Sequence, residues 1–109
     1  MSIQQVRKNN FRAIEETVAK YLEKKLTLLQ MTYNIEVLAD VTFSSSDTKN
    51  FYSFLINSMG DLEVEFFIKA GEVVNNEHSN YTDELINLAK KFQKELQVYK
   101  KSLFGGESE

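Results

Sequence analysis

Two stretches, one near each end of the chain, repeat large apolar residues at the period of a helix, and they constrain the fold more than any other feature. Phe11, Ile14, Val18, Leu22, Leu26 and Leu29 follow one another in steps of 3, 4, 4, 4 and 3. Leu85, Leu88, Phe92, Leu96, Tyr99 and Leu103 follow in steps of 3, 4, 4, 3 and 4. Both series average about 3.6 residues per step, so each stretch carries one apolar stripe. Tyr21 and Leu28 widen the first stripe beyond a coiled-coil seam, which suits packing on a sheet. Ser2 and Gln5 have the spacing of a capping box, and the pattern predicts a helix over about residues 3 to 30. The second helix has Asn80 or Thr82 as its cap and Asp83 and Glu84 in its first turn, favourable to the helix dipole. Lys100 and Lys101 occupy its last turn, and Gly105-Gly106 ends it. The chain has no proline to break either helix.

Between these stretches the period changes to two. Ile35, Val37, Ala39, Val41 and Phe43 alternate with Glu36, Leu38, Asp40 and Thr42, the pattern of a half-buried strand. "SSSDTKN" reads as a polar loop. Residues 51–59 and 62–70 then read as two further strands joined at Gly60-Asp61, a glycine-first pair suited to a II′ hairpin turn. A helix competes for the same segment, capped by Ser46, with Phe51, Phe54, Leu55 and Met59 at helical spacing and Gly60 as its stop. The density of aromatic residues and the turn dipeptide favour the strands.

The expected fold is therefore α+β: a long N-terminal helix, a three-stranded antiparallel meander and a long C-terminal helix, with both helices on one sheet face. Residues 1–104 form a single α-β-β-β-α domain, and 105–109 a flexible tail. This order is similar in topology to the YbaB-type nucleoid-associated proteins and, more loosely, to double-stranded RNA-binding domains. The likeness spans residues 3 to 104 and involves no sequence motif.

Composition narrows the function. The 109 residues are 42% hydrophobic and 27% charged, with a net charge of −3, as in a globular chain with no general affinity for polyanions. The sequence has no cysteine, so thiolate chemistry and disulfides are excluded. The N-terminus lacks an apolar signal core, and no apolar run approaches the roughly 18 residues of a membrane span. A cytoplasmic protein without membrane contact is the expectation. His78 is the single histidine and has no ligand-spaced partner, so it reads as an exposed loop residue. Ser44 to Ser46 lack a base and a nucleophile-elbow pattern. Glu63 and Glu65 read as solvated surface. With no phosphate-loop, dinucleotide or EF-hand motif either, the sequence points to a non-enzymatic protein with no metal and no cofactor.

Two candidate surfaces remain. The turn at Gly60-Asp61 fixes a register in which Phe54 lies opposite Phe67. Tyr52, Phe54, Ile56 and Phe67, extended by Leu38, then lie on the sheet face away from the helices, inside an acidic rim. That face is the expected protein-binding site, covered by a second copy or by a larger assembly. The alternative is a nucleic-acid-binding dimer that uses Lys90, Lys94 and Lys101, a row along the C-terminal helix flanked by Lys91 and Lys100.

Overall fold

A computed structural model describes residues 2–72 and 80–105. They form four α-helices: α1 (Ile3–Leu22), α2 (Leu28–Thr42), α3 (Lys49–Glu72) and α4 (Asp83–Phe104), with a short 3₁₀ turn at Ser46–Thr48 leading into α3. Among the described residues there is no strand. The α+β meander is thereby overturned, and the likeness to helix–sheet–helix nucleic-acid-binding proteins falls with it.

The first correction lies between α1 and α2, where one helix over residues 3 to 30 was expected. Helix α1 stops at Leu22 because the chain turns left-handed at Lys24, with φ 63°. The Lys25 amide reaches back to the Lys20 carbonyl at 2.8 Å and the Lys24 amide to Tyr21 at 2.9 Å. This is a Schellman closure, with lysine at the position usually held by glycine. Thr27 then starts α2 through a reciprocal capping box: its hydroxyl accepts the Gln30 amide, and the Gln30 side chain accepts the Thr27 amide.

The three expected strands are α2 and α3. Periods of two and of four coincide at every second alternating position, which is why 35–43 reads either way. Ile35, Ala39 and Phe43 satisfy both and are buried. Val37 and Val41 satisfy only the strand period and lie exposed. Leu28 and Met31 continue the helical series upstream, and both are buried. In α3, Phe51, Leu55 and Met59 again fit both periods. Leu62 follows at a step of three, which a helix takes without interruption and a strand takes only through a turn. Gly60-Asp61 is not that turn. Both residues lie within α3, and no other group approaches the position of a Gly60 side chain. The competing helix over this segment is thus the one adopted, but Gly60 does not end it. The final helix, α4, is capped by Thr82, whose hydroxyl accepts the Leu85 amide at 3.3 Å, and closes at Gly105, where φ is 61°.

Successive helices alternate in direction. At one end Gln4 donates to the Leu103 carbonyl, Asn10 donates to Thr42, and Arg7 pairs with Asp47. At the other end the Tyr21 hydroxyl donates to the Asn80 carbonyl, the Asn80 side chain accepts the Leu28 amide, and the Tyr81 hydroxyl donates to the Leu26 carbonyl. Each helix packs on its two neighbours in the order α1, α2, α3, α4 and back to α1. The core runs the length of this bundle. At the Arg7 end it is aromatic: Phe51 stacks on Phe11 and meets Phe43 edge-on. No helix among the described residues is long and apolar enough to cross a membrane. The expected loop histidine, His78, and the tail at 106–109 lie outside the described residues.

Candidate functional site: an apolar ridge on α2

Helix α2 buries Leu28, Met31, Ile35 and Ala39. At about 100° per residue, the opposite side of the helix carries Leu29, Tyr33, Val37 and Val41, each four residues from the last. All four are exposed, from 38% at Leu29 to 71% at Val41. Gln30 and Asn34 border this row on the α1 side, and Glu36 and the exposed Asp40 border it on the α3 side. Both of these carboxylates reach α3. Asp40 accepts a hydrogen bond from Tyr52 at 2.8 Å, and Glu36 lies near Glu63. Burial, with Glu63 and Asp40 close by, pushes the Glu36 carboxyl up from its ordinary value. The hydrogen bond to Asp40, followed by burial, raises the Tyr52 hydroxyl. Glu63 also accepts from the buried Thr32 hydroxyl at 3.2 Å, so the acidic side of α2 is tied into the α2–α3 contact.

On its other side the ridge meets α1. An open depression of about 320 Å³ lies between Thr17 of α1 and Tyr33, Asn34, Val37 and Leu38 of α2. Ala13 shares the Thr17 side of α1, four residues away, and is half-buried. The floor and both walls of the depression are therefore uncharged. A second depression, of about 370 Å³, opens at the Arg7 end between Gln4, Asn50, Ser102 and the aromatic core. The Arg7 guanidinium is mostly buried there, and it is engaged by Asp47 and Ser45.

The residues singled out from the sequence separate in the folded chain. Leu38, Tyr52, Phe54 and Ile56 are half-buried and pack against the core. Phe54 stacks on Phe92 at 5.3 Å and on Tyr99 at 4.7 Å between ring centres. Phe67 is 59% exposed, and forms a patch with Val64 and Ile68 on the C-terminal half of α3. Phe54 and Phe67 are thirteen residues apart on one helix, so they do not face each other. Of the five, Leu38 alone lines the α1–α2 depression. Tyr33, Val37 and Val41 were missed because a strand puts Val37 and Val41 inside. Only the helical period from Leu28 would have turned them out.

Lys90, Lys94 and Lys101 are all exposed on α4, with the exposed Val98 among them. Lys91 is exposed as well, whereas Lys100 reaches Glu15 of α1 at 3.8 Å. Among the described residues, no three histidine, aspartate or glutamate side chains gather where they would hold a metal ion. No family model matches the chain, and no curated protein or solved structure matches it either.

Proposed function

We propose that this chain is a small protein-binding module, an assembly factor, regulator or inhibitor rather than an enzyme, and that it binds through the α2 ridge and the adjoining α1–α2 depression. One observation carries the reading: four exposed apolar side chains, Leu29, Tyr33, Val37 and Val41, form one outward row on a chain in which 27% of residues are charged. Exposed apolar side chains are common singly, but a contiguous row of them with charge at its edge is the composition of an interface. The reading places the protein in the cytoplasm, in keeping with a chain that lacks cysteine. A photo-crosslinking residue at Val37, compared with one at Lys94, tests the site in cells that make the protein. Protein adducts at Val37 and few at Lys94 are expected. Equal labelling at both positions would overturn the assignment.

A second reading has its own support. Helices α1 and α4 carry nine basic residues against five acidic ones, and α4 displays Lys90, Lys94 and Lys101 on one exposed face. A nucleic-acid-binding dimer would use that row to contact phosphates. Replacing the three lysines with glutamine would then weaken binding and flatten its salt dependence. A wild-type protein that shifts no duplex or single strand at low salt would end this reading.

A further inference from the structure

We infer that the lysine row of α4 takes the phosphate backbone of a nucleic-acid duplex, without regard to base sequence. The inference rests on the second reading above and names the form of nucleic acid and the mode of contact.

The helix sets the row. At about 100° per residue, Lys90, Lys94 and Lys101 fall within about 60° of arc, with Gln97 between them. Leu85, Ala89, Phe92 and Leu96 take the opposite side into the core, so the row faces outward. From Asn87 to Ser102 the exposed positions of α4 include four lysines and no carboxylate. None of Lys90, Lys94 and Lys101 is ion-paired among the described residues. The neighbouring carboxylates lie at the margins. Asp83, in line with the row, and Glu84 beside it belong to the first turn of α4 and bound the row there. Glu95 and the exposed Asp61 of α3 share a small groove with Lys91, which sets that fourth lysine apart. Glu15 of α1 is held by Gln97 at 2.6 Å and by Lys100 at 3.8 Å.

Charge and rigidity identify the occupant. Lys90 and Lys101 are eleven residues apart, about 16 Å along the helix, so the row outreaches any single phosphate. A duplex carries one charge per roughly 1.7 Å and presents about ten phosphates over that length. It is already stiff, and a straight row of ammonium groups meets it with little ordering cost. A single strand would have to be ordered along the row, where α4 offers it no exposed ring. Phe92 is buried, and Tyr99 is half-buried against Phe51 and Phe54. An anionic membrane would receive an apolar side, but that side of α4 is in the core; among the described residues, Val98 is the large apolar side chain that α4 exposes. An acidic protein would meet lysines without an aromatic or arginine anchor, a composition that interface centres avoid. Lysine meets phosphate as a point charge and reads no base, and Gln97, which could pair with adenine, is committed to Glu15.

The number of contacts sets the strength. Three lysines neutralise about three phosphates, so log K falls against log salt with a slope of about −3, a loss of roughly 500-fold for a tenfold rise in salt. The net charge of −3 opposes the approach of any polyanion. Binding is therefore weak and confined to low salt, with a dissociation constant there on the order of 10 μM.

Fluorescence anisotropy of the full chain with labelled DNA duplexes of about 20 base pairs, over a series of salt concentrations, tests this directly. Two duplexes of unrelated sequence should bind equally, and either single strand more weakly. Each of Lys90→Gln, Lys94→Gln and Lys101→Gln should take about one unit from the salt slope, and the triple variant should lose binding at low salt. Lys25→Gln, the same loss of charge at the α1–α2 turn, should leave the affinity unchanged. All four positions are exposed, and circular dichroism checks that the variants stay folded. A preference for single strand or for one sequence, or a triple variant that binds as tightly as wild type, would overturn the inference and leave nucleic-acid binding in place. Adsorption to phosphatidylserine vesicles in preference to duplex at the same salt would overturn it in favour of a membrane. A chain that shifts neither duplex nor single strand at low salt would remove both the inference and the second reading.

Discussion

The Arg7 guanidinium closes on the Asp47 carboxylate through two hydrogen bonds of 2.9 and 3.1 Å, joining the second turn of α1 to the 3₁₀ turn that begins α3. Residues forty apart in sequence are thereby fixed at one end of the bundle, above the aromatic cluster of Phe11, Phe43 and Phe51. The hydrogen bonds from Arg7, assisted by Ser45, hold the Asp47 carboxyl down at about 2. A carboxyl whose folded value is lowered contributes stability above its unfolded value and loses that contribution as pH falls through the folded one. The window here runs from the ordinary 3.8 down to about 2. Urea unfolding should show stability falling across it, and Asp47→Asn should remove that part of the pH dependence. An unchanged slope in the variant would mean that the pair does not couple to folding.

Gly60→Ala separates the helix from the hairpin by the sign of its effect. Within α3, alanine gains helix propensity and meets nothing in the space its methyl group enters, so stability should rise by about 0.5–1 kcal/mol. At the first central position of a II′ turn the same change would be destabilising, because alanine resists the positive φ required there. Thermal unfolding reads the difference.

Thr27→Ala makes a similar distinction between α1 and α2. As the cap of α2, Thr27 satisfies the Gln30 amide, and its loss should cost about 1 kcal/mol. In one uninterrupted helix, alanine would instead be the better residue. Denaturant titration gives the sign.

The two phenylalanines of α3 should behave differently. Phe54→Ser removes a ring stacked on Phe92 and Tyr99 and should cost about 2 kcal/mol or more, as should Leu55→Ala at a fully buried position. Phe67→Ser, at an exposed position, should change stability by no more than about 0.5 kcal/mol. Equal losses at 54 and 67 would place Phe67 in a packed environment.

The sequence alone determined the amphipathic ends. Leu85, Phe92 and Leu96 can serve one apolar side only in a helix, and Thr82 and Gly105 bound that helix by local hydrogen bonding and backbone freedom. The start of α1 at Ser2 has the same local origin, its hydroxyl accepting the Gln5 amide at 3.1 Å. Its end was not legible, because a left-handed lysine at residue 24 leaves no mark in composition. Tertiary packing decided the middle. Ile35, Ala39 and Phe43, like Phe51, Leu55 and Met59, are compatible with both a strand and a helix, and strand-favouring residues around them tilt a local reading toward the sheet. What separates the two is whether Val37 and Val41 go inside. Helix α2 lies between α1 and α3, and its apolar side can meet both only when residues 28, 31, 35 and 39 point inward together. That demand from neighbouring helices outweighs a β-propensity difference of about 1 kcal/mol or less per residue, and it turns Tyr33, Val37 and Val41 out to form the ridge.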